Sequence, residues 1–214
     1  MRKIDEATKA LIQERIADVE KICDSELVCL VAKRSARYVL YPLLTAAILS
    51  LMLPLTQAVA GLFGFHDFTL RFQHQTIVFV ILAILFTCTP IRHMVTPRWL
   101  QRQNCERYSA EQFFQHHLHE TRARNGILIF VSWEEKYVTI IADKGINERV
   151  QQADWDDLIA NFVTAIKADD MANGFLSIVG GAGDLLIKHF PIDSPKTDEL
   201  PNHLIELDDP HYVS

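Results

Sequence analysis

Apolar positions along this chain fall into three patterns: a helical stripe, short continuous runs of strand length, and two long stretches without charge. Residues 4–22 carry Ile4, Ala7, Leu11, Ile12, Ile16, Val19 and Ile22, a spacing that predicts an amphipathic helix broken at Asp24-Ser25. Leu27 to Ala32 (LVCLVA) is apolar throughout and reads as a strand buried on both faces. Ile127 to Trp133 (ILIFVSW) and Tyr137 to Ala142 (YVTIIA) read as two more strands. Glu134-Glu135-Lys136 is the turn between them, which makes a hairpin, and Asp143-Lys144-Gly145 closes it.

Helices fill the remaining polar segments. Thr96-Pro97 has the form of an N-cap followed by proline at the first helical position. The helix it opens is expected to reach about Arg124, carrying Trp99, Leu100, Phe113, Phe114 and Leu118, and to end at Asn125-Gly126. Asp154 is expected to cap a helix whose apolar face is Trp155, Leu158, Ile159, Phe162, Val163 and Ile166. Another helix is expected from Asp170 to Phe190, carrying Phe175, Leu176, Val179, Leu186 and Ile187 and stopped by Pro191. The acidic tail beyond holds one apolar patch, Leu204-Ile205, and reads as an ordered strap that loosens toward its end.

The uncharged stretches dominate the middle. Tyr38–His66 has 29 residues without Asp, Glu, Lys or Arg, and Phe72–Ile91 has 20. A bilayer core about 30 Å thick needs about 20 mostly apolar helical residues. Two transmembrane spans are therefore expected, at about 39–63 and 75–92, with Pro42 and Pro54 as tolerated kinks. The competing reading, two buried core helices, needs fewer uncharged residues than these. The early residues are too charged for a cleaved leader. Lys33, Arg34 and Arg37 precede the first span and Arg92, Arg98, Arg102 and Arg107 follow the second, whereas Arg71 stands alone between them. The positive-inside rule then places both termini in the cytoplasm, with Gly64–Gln75 on the far side.

A lone buried strand at 27–32 needs neighbours, and the other strands lie beyond the uncharged stretches. Residues 1–37 and 96–200 are therefore expected to form one α/β (α+β) domain, its sheet covered by helices on both faces. The hairpin, residues 38–95, interrupts it, and residues 201–214 form an acidic tail.

Average composition conceals this segregation: the chain is 49% hydrophobic and 22% charged, with a mean hydropathy of +0.08. The distribution excludes a disordered chain, a disulfide-stapled mini-protein, an ordinary soluble enzyme and a many-span transporter. Residues 126–214 hold 6 basic and 16 acidic side chains, which argues against a nucleic-acid partner. Neither uncharged stretch has an ionisable group at mid-depth, which argues against a channel or pump. Cys23, Cys29, Cys88 and Cys105 form no CxxC pair or zinc spacing and read as free thiols.

Three clusters are candidates for chemistry. His116, His119 and Glu120 lie at helical spacing, so one helix face could hold a metal; a polar helix face is the plainer reading. Asp143 ends a strand, and Glu148, Asp154, Asp156 and Asp157 follow. Asp143, Glu148, Asp154 and Asp157 are hard oxygen donors suited to Ca²⁺ or Mg²⁺, although turn and capping roles explain them as well and the spacing is not that of an EF-hand. Gly180-Gly181-Ala182-Gly183 matches neither phosphate-loop pattern and reads as close helix packing. Ser132 lacks a nucleophile elbow. Arg34, Arg37, Arg92 and Arg98 read as interface anchors, with a lipid headgroup as a further ligand.

The segments RNGILIFVS (124–132) and EKYVTIIADKGI (135–146), with Glu26–Ala32 and Asn202 after Leu200-Pro201, resemble the TPM domain family. The closer likeness is to short bacterial membrane proteins with a hairpin inside the domain. The resemblance implies an αβα sandwich with a small mixed sheet. It also implies either weak acid phosphatase activity or a role in assembling and maintaining membrane complexes, with calcium bound in some members. The chain lacks the aspartate-containing entry segment and glycine-rich tail of longer members.

The expected protein is thus a TPM-like domain on the bacterial inner membrane, with two spans. Its expected role is that of a non-enzymatic accessory, assembly or quality-control factor whose partners are the lipid bilayer and a membrane protein. The alternative is a weak metal-dependent phosphatase-like hydrolase.

Overall fold

The fold is that of a computed structural model, which describes residues 4–63, 72–89, 91–121, 123–192 and 204–207. Elements follow in the order α1 (Glu6–Glu20), β1 (Glu26–Ala32), α2 (Leu40–Leu51), α3 (Leu53–Leu62), α4 (Phe72–Cys88), α5 (Arg92–Val95) and α6 (Arg98–Gln115). Then come β2 (Gly126–Ser132), β3 (Tyr137–Ala142), α7 (Lys144–Asn147), α8 (Gln152–Lys167), α9 (Met171–His189) and β4 (Leu204–Leu207). The chain divides into two compact units, one of Met1–Ser35 with Asn104–Ser214 and one of Ala36–Gln103.

The first unit is α+β. Its four-stranded mixed sheet has the order β3-β2-β1-β4, with β2 and β4 parallel to β1 and β3 antiparallel to β2. Every residue of β1 and β2 is buried, because these strands are central and covered on both faces. Alternation sorts their side chains. Leu27, Cys29, Val31, Ile127, Ile129 and Val131 pack with α1, α8 and α9 residues such as Ile16, Trp155, Phe162 and Phe175. Val28, Leu30, Leu128 and Phe130 face the other way and pack with Tyr108, Phe113 and Leu118.

The expected strands of the hairpin and β1 are present. The strand β4 lies where the sequence suggested a strap: Leu204 and Ile205 pair with Cys29 and Leu30. Lys9 of α1 holds this edge by an ion pair to Glu206 at 2.8 Å. Asn202 and the rest of the acidic tail lie outside the described residues.

The helix boundaries differ from expectation in instructive ways. The helix expected to reach Arg124 ends at Gln115, and His117 then takes a left-handed backbone with φ 55°. Trp99 and Phe114, expected on its apolar face, are exposed. Asp154 does not cap α8; Gln151 does, and the Asp154 carboxylate at the third helical position accepts the Gln151 backbone N–H at 3.3 Å. Asp170, where the last helix was expected to begin, is the cap of α9 and accepts the Asn173 backbone N–H.

The glycine cluster lies inside α9 and serves packing. A β-carbon on Gly181 would stand 2.3 Å from Leu158 Cδ2, and one on Gly183 the same distance from Val19 Cγ2. The neighbours differ in compliance. The leucine end can rotate away, whereas a helical valine is confined to essentially one rotamer. Alanine itself favours a helix by up to about 1 kcal/mol over glycine. Gly181→Ala is therefore expected to be near neutral and Gly183→Ala to destabilise by about 1–3 kcal/mol. Urea melts of both variants check the difference, and equal midpoints would contradict the packing of α1 on α9.

The second unit is helical. Pro42, Ala46 and Ser50 form a buried stripe on α2, which packs against α4. Tyr38 and His93 meet edge to face at 5.6 Å. The Gln101 side-chain amide donates to the His93 and Thr96 carbonyls at 2.7 and 2.8 Å.

Here the membrane expectation is corrected. Among the described residues no helix is long and apolar enough to cross a membrane. The first uncharged stretch is interrupted at Met52, two residues before Pro54, whose ring clashes with the carbonyl four residues back and which offers no N–H. Its two helices have 12 and 10 residues, about 18 and 15 Å at 1.5 Å per residue. The helix of the second stretch has 17 residues, about 25 Å. Each is shorter than the roughly 30 Å hydrocarbon core. The two-span inner-membrane placement and the cytoplasmic orientation derived from it are therefore not retained. Of the connection expected on the far side, residues 72–75 belong to α4, and residues 64–71, with Asp67 and Arg71, lie outside the described residues.

Candidate functional site

Because β1, β2 and β4 are parallel, their carboxyl ends share one edge of the sheet, where open sheets commonly receive ligands. That edge is cross-tied. Trp133 N–H donates to the Ala32 carbonyl, Glu134 N–H to Lys33, and Lys33 N–H to Leu207, at 2.8–3.0 Å. The Glu135 carboxylate accepts the Ser35 backbone N–H at 3.0 Å and the Ser132 hydroxyl through its other oxygen. Lys136 completes the tight turn with φ 52°. Ser132 is buried, and its hydroxyl is bound to this carboxylate.

Asp143 lies at the opposite edge. It ends β3, which is antiparallel, so it sits beside the start of β2, its N–H donating to the Gly126 carbonyl at 2.9 Å. Ligand edges of open sheets are those at the carboxyl ends of parallel strands, and Asp143 ends the antiparallel member of the hairpin. The Asp143 side chain is 6% exposed and meets the Arg124 guanidinium through both oxygens, at 2.9 and 3.0 Å. It also caps α7 by accepting the Lys144 N–H at 2.7 Å. Two roles, cap and bidentate partner, therefore occupy this carboxylate.

The other acidic candidates are dispersed along the same segment. Glu148 faces Lys144 at 3.8 Å, Asp154 closes the α8 capping box, and Asp156 accepts from Gln152, while Asp157 is exposed on α8. Among the described residues no group of three or more His, Cys, Asp or Glu is placed to hold a metal ion.

His116, His119 and Glu120 lie beyond the end of α6, so helical spacing does not govern them. His117 and His119 are the histidines that reach Glu120, with ring nitrogens 3.0 and 3.4 Å from its oxygens. Their rings stack 6.4 Å apart, and Phe114 lies 4.8 Å from the His119 ring. The signal that sequence reasoning missed is the left-handed turn at His117, which has no glycine to mark it. Of the basic residues, Arg37 and Arg98 are exposed, Arg34 is half-buried, and the Arg92 Nε–H donates to His93 at 3.2 Å. With no helix among the described residues long and apolar enough to span, these positions lose the argument that made them interface anchors.

The buried thiols of Cys29 and Cys105 are not poised for nucleophilic work. Burial pushes the Cys29 thiol up to about 12. It does the same to Cys105, also to about 12, against an opposing hydrogen bond from Ser35. At pH 8 the thiolate fraction of such a group is about a thousandfold below that of a free cysteine. Cys88 is exposed. Maleimide labelling of the native chain is expected to modify Cys88 rapidly and the buried Cys23, Cys29 and Cys105 only after unfolding. Fast labelling of Cys29 would contradict the burial of β1.

A mixed four-stranded sheet with helices on both faces and a tightly turned β2–β3 hairpin defines the class. The family model of the TPM domain matches residues 89–185, a stretch that includes that hairpin. The family matched over this stretch is the one whose likeness was read from RNGILIFVS and EKYVTIIADKGI. Among solved structures, the chain resembles the NMR structure of the BA42 protein from the psychrophilic bacterium Bizionia argentinensis, with a TM-score of 0.57 and 20% identity. The likeness covers 96% of this chain and 99% of that one, and at this identity it concerns the fold. No curated protein matches the chain.

Proposed function

We propose that this chain is a non-enzymatic accessory factor that binds a partner protein, with the helical unit as the partner-facing part. The observation that carries this reading is the exposure of large apolar side chains on its helices. Ile48 and Leu51 of α2, Leu55 of α3, and Ile77, Ile81 and Ile84 of α4 are each more than half exposed. Isolated exposed leucines are ordinary, but apolar side chains repeated along adjacent helices mark an interaction surface. A partner presenting apolar helices of its own would match it. The sheet unit supports the same reading: Ser132, Asp143 and the buried thiols are each engaged or protonated rather than poised as nucleophile or base.

The competing reading is a phosphatase-like hydrolase that uses a divalent ion held by Asp143 and its acidic neighbours. Gentle purification of the full chain, followed by phosphomonoester assays with Ca²⁺ or Mg²⁺, separates the two. A stoichiometric partner with no turnover above background is the expected result. Metal-dependent turnover that is lost in Asp143→Asn, with the melting temperature kept, would overturn the accessory reading.

A further inference from the structure

A cavity of about 410 Å³ opens in the sheet unit between the β2–β3 hairpin and α8. Its walls are chiefly apolar, from Trp133, Val138, Phe162, Val163 and Ile166, and no carboxylate is among its lining residues. The volume falls within the range of small-molecule sites, and such walls select an apolar body.

Its charged groups are of one sign. Lys136, at the left-handed hairpin turn, and Lys167, the last residue of α8, both line the cavity. Among the described residues neither ammonium has an ion-pair partner. Trp133 adds a donor: its indole Nε1 is buried and has no hydrogen-bond acceptor. The hydroxyl of Ser132, also on the lining, is already donated to Glu135. Tyr137 lines the cavity as well, and an apolar slot with two ammonium groups and no carboxylate is complementary to a ligand with an apolar body and an anionic acceptor.

We infer that this cavity binds a small amphipathic carboxylate, its apolar body against Val138, Phe162, Val163 and Ile166 and its carboxylate held by Lys136, Lys167 and the Trp133 indole N–H. The chain length of such a ligand is limited by the cavity, which favours a medium-chain acyl or aryl acid over a long lipid. The site concerns the sheet unit alone and does not depend on how the helical unit is covered.

The test uses the full chain labelled with ¹⁵N-tryptophan and titrated with decanoate, with decanol as the uncharged control. The chain has 3 tryptophans, so each indole signal is separable, and Trp133→Phe identifies the relevant one. The expected result is a saturable shift of the Trp133 signal with decanoate. Decanol should bind at least tenfold more weakly, and the Lys136→Gln, Lys167→Gln double variant should lose at least tenfold in decanoate affinity. Both lysines lie outside the packed core, so the double variant keeps its melting temperature. Filling the slot with Val163→Phe should abolish the shift. The inference is overturned by no saturable Trp133 shift at millimolar decanoate, by equal binding of decanol, or by unchanged affinity in the double lysine variant.

Discussion

Replacing Gly126 with alanine is expected to leave the chain unable to hold its native fold. The new β-carbon would stand 2.1 Å from the Leu118 carbonyl oxygen, 2.9 Å from its carbon and 3.1 Å from its α-carbon. All three atoms are backbone, so no side-chain rotation relieves the clash. Leu118 cannot retreat easily, because its side chain is fully buried in the cluster of Tyr108, Phe113 and Phe130. Gly126 is equally fixed: it pairs with Glu26 in the parallel ladder, and its carbonyl accepts the Asp143 N–H. The position is a strand, so alanine suits the backbone and the cost is purely steric. Overpacking by a methyl commonly costs about 1–3 kcal/mol where neighbours yield. Here they do not, and a loss above about 4 kcal/mol is expected, a large part of the stability of an ordinary domain. Circular dichroism and a urea melt of Gly126→Ala measure it. A melting temperature within a few degrees of the parent would show that the turn at 116–120 does not close on β2.

Phe175→Ala carries the next largest expected loss. The ring is fully buried on α9 and meets Phe162 of α8 edge to face at 5.1 Å and Trp133 at 6.4 Å. It therefore joins α8, α9 and the end of β2 in one contact set. Truncating a buried phenylalanine costs about 3–5 kcal/mol, through lost transfer energy and the cavity left behind. The aromatic pairs add to the loss beyond buried area. The urea midpoint should fall with an unchanged slope, because the surface exposed on unfolding hardly changes. A loss below about 1 kcal/mol would mean that α9 is not docked on the sheet.

Those two positions also show which parts of the fold were legible. Phe175 belongs to a helical stripe that Asp170 opens and Pro191 follows, and periodicity alone was enough to place it inside. The strands β1 and β2 announced themselves as apolar runs, because a strand covered on both faces has no polar side to show, and the half-buried edge strand β3 as a run broken by Thr139. The strand β4 did not, since four residues within an acidic tail carry little pattern, and its place depends on pairing with β1 and on Lys9 reaching Glu206. Gly126 was misread as a helix stop. The helix had already ended at Gln115, and the glycine is needed because a strand passes against the Leu118 carbonyl.

The candidate site was less legible, for reasons of geometry. Spacing arguments for His116, His119 and Glu120 presumed a helix that a left-handed residue had already ended. Asp143 was singled out as a strand end, but the ligand edge is that of the parallel strands' carboxyl ends; as the end of the antiparallel member of the hairpin it lies at the opposite edge, beside Arg124. Counting uncharged residues measured apolar length without asking whether one helix could use it, and the break before Pro54 divides the first stretch. The cavity beside α8 had no signature in sequence, since Trp133, Lys136 and Lys167 come together only when the hairpin meets the helix.

The central claim is that the apolar helices of the second unit meet a partner protein. A photo-reactive amino acid placed at Ile81 of α4, in cells producing the full chain at native level, tests it most directly, with the same group at Asp156 of α8 as control. Both positions are exposed. The account predicts one discrete protein adduct from Ile81 and none from Asp156. Absence of a protein adduct at Ile81, with the chain folded and present, would contradict it.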